Sequence, residues 1–102
     1  MAAPYFSPKD PREIISYSFD FTALLSVGET FSAAFTSIAF YSGPDPTDVS
    51  ILLVGSPLIS NNVVSQLVSG GVSMNTYELT VSLETTLGQT LYLCGLVPVI
   101  GC

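Results

Sequence analysis

A chain of 102 residues that is 48% hydrophobic and 11% aromatic forms one domain, because two domains of half that length could not each bury a core. Only 10% of its residues are charged and its mean hydropathy is +0.58, which excludes a disordered chain. The net charge is −6, Lys9 and Arg12 are the only basic residues, and histidine is absent; this excludes a nucleic-acid partner and removes the commonest general base and metal ligand.

Residues 1–13 carry Pro4, Pro8 and Pro11 around Tyr5 and Phe6, and each X-Pro step favours extended backbone, so they are expected to be an arm rather than a helix. They contain no apolar stretch of the kind that directs secretion. The longest apolar run, 91–100, is about half of the ~20 residues a membrane helix needs and is broken by Gly95 and Pro98. The expectation is a soluble protein with no membrane partner, with Cys94 and Cys102 as free thiols.

From residue 15 to 22, Ile15, Tyr17, Phe19 and Phe21 alternate with polar residues, the period of a half-buried strand. A second strand is expected over 30–41. Phe31, Ala33, Phe35 and Ala39 would share one face and Ile38 and Phe40 the other, with a bulge near Thr36 and Ser37 where the parity changes. The two prolines of 42–48 make that stretch a loop. Residues 49–54 read as a strand stopped by Gly55-Ser56-Pro57, and 61–68 as another ending at Ser69-Gly70-Gly71, where paired glycines allow positive φ. Over 76–86 Tyr77, Leu79, Val81 and Leu83 point inward and Glu78, Thr80, Ser82 and Glu84 outward. A final strand begins at Thr90. Leu91, Leu93 and Val97 occupy one of its faces, yet Tyr92, Cys94, Leu96 and Ile100 fill the other, so a second cover is expected there from another chain.

Six strands between turn signals, with no amphipathic helical stretch, predict an all-β fold: an immunoglobulin-like antiparallel β-sandwich over 14–102, preceded by the extended N-terminal arm 1–13. A barrel is the alternative. The arm should be removable, so that loss of residues 1–11 leaves the domain folded.

Catalytic chemistry has little to work with. Asp45 and Asp48 offer two oxygens in one loop, where calcium takes six or more. Glu78 and Glu84 are ~20 Å apart along one strand, too far for a glycosidase pair. No serine has a base, because histidine is absent and Lys9 sits in the arm. No catalytic residue, metal site or cofactor is expected, and the protein is read as not an enzyme.

The segment Lys9-Asp10-Pro11-Arg12-Glu13, followed by ISYSFDF and Ala23-Leu24-Leu25, resembles the KDPDE-like opening of small tailed-bacteriophage virion proteins. The likeness continues through Ser69-Gly70-Gly71, Thr76-Tyr77-Glu78-Leu79-Thr80-Val81, Glu84-Thr85-Thr86 and Gly88, and covers residues 9 to 97. Arg12 stands where an acid is usual, and the tail from Leu96 to Cys102 is more apolar than expected. The resemblance implies a small β-sandwich of the fibre-tail adaptor or capsid-decoration type, located in the virion and assembled in the host cytoplasm.

Few charges, a proline-rich arm and a last strand apolar on both faces fit a subunit that finishes burying itself in an assembly. The expected function is therefore a rigid adaptor linking tail and fibre proteins. Its expected contacts are Pro4, Tyr5, Phe6 and Pro8 of the arm and Tyr92, Leu96 and Ile100 of the last strand, and it is expected to be a homo-oligomer in the particle. The alternative is a capsid cement protein. A carbohydrate-binding or adhesion module using Tyr41 and Tyr92 is the outsider.

Overall fold

The structure is a computed structural model and describes residues 5–25, 28–47 and 50–101. The alternating segments form six strands: β1 Ile14–Asp20, β2 Phe31–Ser42, β3 Leu52–Ser60, β4 Val63–Ser69, β5 Thr76–Thr85 and β6 Thr90–Pro98. They build two antiparallel three-stranded sheets, ordered β1-β4-β3 and β2-β5-β6. Among the described residues the only helical element is a single 3-10 turn, Thr22–Leu24, and no helix is long and apolar enough to cross a membrane. One core lies between the sheets: Tyr17, Phe19, Val64 and Val68 from the first meet Leu79, Val81, Leu83 and Val97 from the second. Each such side chain contributes ~1.5–3 kcal/mol on burial, so this layer dominates stability.

Two strands depart from the pattern read in the sequence. β3 does not stop at Gly55-Ser56-Pro57 but runs through it, with a register shift against β4 between Val54 and Leu58. An edge strand tolerates this: a proline at an edge bulge removes no necessary ladder bond. At the shift the carbonyls of Val54 and Gly55 accept from the Nε2 of Gln66, a fully buried side chain of β4, at 3.2 Å each. Asn61, expected in the next strand, lies instead in a two-residue turn with Asn62, at φ 54, a left-handed conformation that asparagine bears better than most residues.

In β2 the pairing with β5 is continuous from Ala33 to Phe40, and the shifts fall at the ends, between Phe31 and Ala33 and between Phe40 and Ser42, rather than near Thr36 and Ser37. The inward row is therefore Ala34, Thr36, Ile38 and Phe40, and Phe35 points outward, 55% exposed. Thr36 is accepted inside because its hydroxyl donates to Gln66 Oε1 across the sheets at 2.8 Å.

The paired glycines behave as expected. Gly70 and Gly71 have φ of 78 and 101, and a Cβ on Gly70 would run into the Ser50 carbonyl oxygen. The loop after β2 is pinned by buried Asn75, whose Oδ1 accepts from Asp45 N–H at 3.1 Å and whose Nδ2 donates to Asp45 O at 2.8 Å.

Candidate interaction surface

The segment ahead of β1 lies along the open edge of β6. Tyr5 bridges Leu96 and Lys9 bridges Val99, both in parallel. Phe6 N–H donates to Leu96 O, Lys9 N–H to Pro98 O and Ile100 N–H to Lys9 O, each at 2.9 Å. The Phe6 ring enters between the sheets, with centroids 4.6 Å from Tyr17 and 5.5 Å, edge-on, from Phe19. Gly95 makes room for it: a Cβ there would stand 2.5 Å from Phe6 Cε2.

Lys9 fastens this arrangement. Its side chain is fully buried, and the ammonium donates to Asp10 O at 2.9 Å and Gly70 O at 2.8 Å. Burial lowers its pKa, against the opposing pull of Glu13 and Asp10. The next four residues form a β-turn closed by Glu13 N–H to Asp10 O at 3.0 Å, with aspartate and proline at the positions such turns favour. Arg12 donates through Nε to Asp10 Oδ1 and through Nη2 to Oδ2, both at 2.9 Å, and so braces the turn. Glu13 Oε1 accepts the Asp10 N–H at 2.9 Å.

The seven expected contact residues are placed unequally. Pro4 lies outside the described residues. Tyr5 and Tyr92 are each 66% exposed, and Ile100 is 49% exposed. Pro8 is exposed and lines, with Ile100, Asp10, Arg12 and Glu13, an open hollow of about 540 Å³. Phe6 and Leu96 instead have partners inside the chain: Phe6 packs on Tyr17 and Phe19, and Leu96 is 2% exposed beside the bridging Tyr5. Part of the second cover expected for β6 from another chain is thus supplied by this chain's own leading segment.

Pairing registers define the outer faces. On the β2-β5-β6 sheet the outward rows are Ala33–Glu84–Thr90, Phe35–Ser82–Tyr92, Ser37–Thr80–Cys94 and Ala39–Glu78–Leu96. Exposed Tyr41 stands at the end of β2. On the β1-β4-β3 sheet the outward residues include the exposed aliphatics Ile14, Leu52, Val54, Leu58 and Leu67. Sequence reading put a bulge near Thr36 and Ser37, but the pairing there is unbroken and turns Phe35 outward; a buried hydrogen-bond partner such as Gln66 leaves no local signal. Among the described residues no group of three or more His, Cys, Asp or Glu could hold a metal, and Asp45 is engaged with Asn75 and, through Oδ1, with the Thr47 hydroxyl. Cys94 is a free thiol, and Cys102 lies outside the described residues.

No curated protein and no solved structure matches the chain. A family model does, that of the podophage GP4 fiber-tail adaptor protein gp77, over residues 9–97. The match starts at the buried lysine that fastens the leading segment and ends at the core valine of β6, so it takes in both sheets: the chain belongs to the podophage GP4 fibre-tail adaptor family.

Proposed function

We propose that the chain is a non-enzymatic structural component of a podophage virion, an adaptor that joins tail and fibre proteins and acts as a homo-oligomer in the particle. Its contacts on the β6 side are Tyr5, Pro8, Tyr92 and Ile100. The observation that carries this reading is the exposure of large apolar side chains on a segment and strand held rigidly together: Tyr5 and Tyr92 at 66%. Large apolar side chains left uncovered along one edge of the body suit a contact with another chain. The aliphatic residues on the opposite outer face support a role in holding two neighbours, as an adaptor must.

The sheets are read as an immunoglobulin-like sandwich lacking its first strand. Constant-type domains order their sheets ABED and CFG, and without A this becomes BED and CFG, the order of β1-β4-β3 and β2-β5-β6. Tyr77, second residue of β5 and fully buried, accepts the Val72 N–H at 3.0 Å and an Asn75 Nδ2 hydrogen at 3.2 Å, in the manner of the tyrosine corner of that fold.

Complementation of phage lacking this gene tests the adaptor. Wild-type chain should restore particles that carry it at low copy with fibres attached. The double variant Tyr92→Ser, Ile100→Ser should fold normally yet be incorporated at least several-fold less. Normal incorporation of the double variant would remove the β6 side from the contact, and many copies spread over the head would favour the cement protein.

A further inference from the structure

We infer that the outer face of the β2-β5-β6 sheet docks an arginine-bearing surface of a partner protein, with guanidinium groups seated between Phe35 and Tyr92 beside Glu84. This rests on the adaptor reading above and names the chemistry of the neighbour that the face receives.

The argument begins with charge. Glu78 and Glu84 both point out from the central strand of this face, and the outward rows contain no cation. The chain has only two cationic side chains, and both are committed elsewhere: the Lys9 ammonium is buried on two carbonyls, and the Arg12 guanidinium is forked onto Asp10. A cation paired with these carboxylates would therefore have to come from another molecule. At a net charge of −6, long-range attraction also favours a basic neighbour over a second copy of the chain.

Shape narrows the cation to arginine. Phe35 and Tyr92 lie in one row on either side of Ser82, two strand spacings or ~10 Å apart. Both rings are more than half exposed, and the floor between them is hydroxyl-bearing, Ser82 and then Thr80. Glu84 is two residues along β5, ~7 Å away. A planar guanidinium can stack on either ring and still give a carboxylate two parallel hydrogen bonds, whereas an ammonium is a point charge with a strongly held hydration shell.

The test uses the full chain and four synthetic decapeptides of the same length: arginine–serine, lysine–serine, serine–glycine and glutamate–serine. Amide shifts and titration calorimetry are recorded at low and high salt, and a neutral oligosaccharide series is run alongside. The expected result is binding in the order arginine above lysine, with the other two peptides silent. Shifts should centre on Phe35, Ser82, Glu84 and Tyr92 and weaken with salt. Glu84→Gln and Phe35→Ser should each weaken binding roughly three- to tenfold, and Asp20→Asn on the other sheet should not. Shifts centred elsewhere, equal binding by Glu84→Gln, or preference for the sugars would overturn the inference. Incorporation separates the two readings. If Phe35→Ser and Glu84→Gln enter particles normally while Tyr92→Ser, Ile100→Ser does not, the adaptor contact stands and this inference falls. If the arginine peptide binds as described but every variant is incorporated normally, the face binds arginine and the adaptor contact falls.

Discussion

Tyr17 is the residue whose surroundings most clearly set a titration. Its ring packs in the core against Phe6, and its buried hydroxyl meets no hydrogen-bond partner among the described residues. Desolvation, helped by the nearby Glu13 charge, raises its pKa from 10.0 to about 12. The folded protein thus keeps a proton that the unfolded chain gives up. Stability linked to this group is complete below pH 10 and is lost as pH rises toward 12. Lys9, with its lowered pKa, contributes a change of opposite sign on the way up in pH. A comparison of wild type with Tyr17→Phe isolates the tyrosine. Urea midpoints should show the variant more stable by about 1 kcal/mol at neutral pH, since an unpaired buried hydroxyl is removed, and less sensitive between pH 10 and 12. Parallel pH profiles for the two proteins would refute the assignment. That Tyr17 faces inward is evident from its alternation with Ser16 and Ser18; that its hydroxyl goes unanswered is not, because this depends on what the opposite sheet and the leading segment bring to it.

At the scale of the strand, β1 and β5 were readable because each has a partner sheet on one side and the period of two follows, whereas β6 loses that period where the leading segment covers its other face. β2 and β3 were harder, and for a shared reason. Gln66 stands between them, receiving the Thr36 hydroxyl from β2 and donating to the Val54 and Gly55 carbonyls where the register of β3 shifts. One long-range side chain therefore allows both a polar residue in the inward row and a strand that continues across Gly55-Ser56-Pro57. Nothing within either segment's own sequence records it. Gln66→Leu should destabilise the protein by about 2 kcal/mol, lowering the thermal midpoint by roughly 8–16 °C, because the Thr36 hydroxyl inside and the β3 carbonyls lose their shared partner. Thr36→Val alone should cost less, and the double variant less than the sum of the two, since both remove parts of one network. Strict additivity in that cycle would mean that Gln66 and Thr36 act independently.

The whole molecule measures 44 × 27 × 21 Å, long enough to act as a strut between neighbours. Its leading segment was legible as extended, proline-set chain, but its destination was not, since a parallel bridge to a strand some ninety residues later has no local signature. The removable arm anticipated from the prolines becomes, with Phe6 in the core and Lys9 buried, a seventh strip of the body. A chain lacking residues 1–11 should accordingly lose about 3 kcal/mol or more, through the vacated Phe6 site alone. It should also self-associate, because the bared β6 edge offers unpaired backbone groups. Chemical denaturation and sedimentation velocity read the two effects, and a truncated chain that is monomeric and as stable as the parent would show the strip to be dispensable.

The buried lysine has a practical corollary. Trypsin finds its only two side-chain targets at Lys9 and Arg12, and residues 13–102 offer it none. The Lys9 amine, held on two carbonyls, is equally hidden from acylating reagents while the fold is closed. Cleavage after Lys9 thus becomes a clock for how often the tether peels from the strut, and slower cutting inside the particle would measure how firmly a neighbour clamps it down.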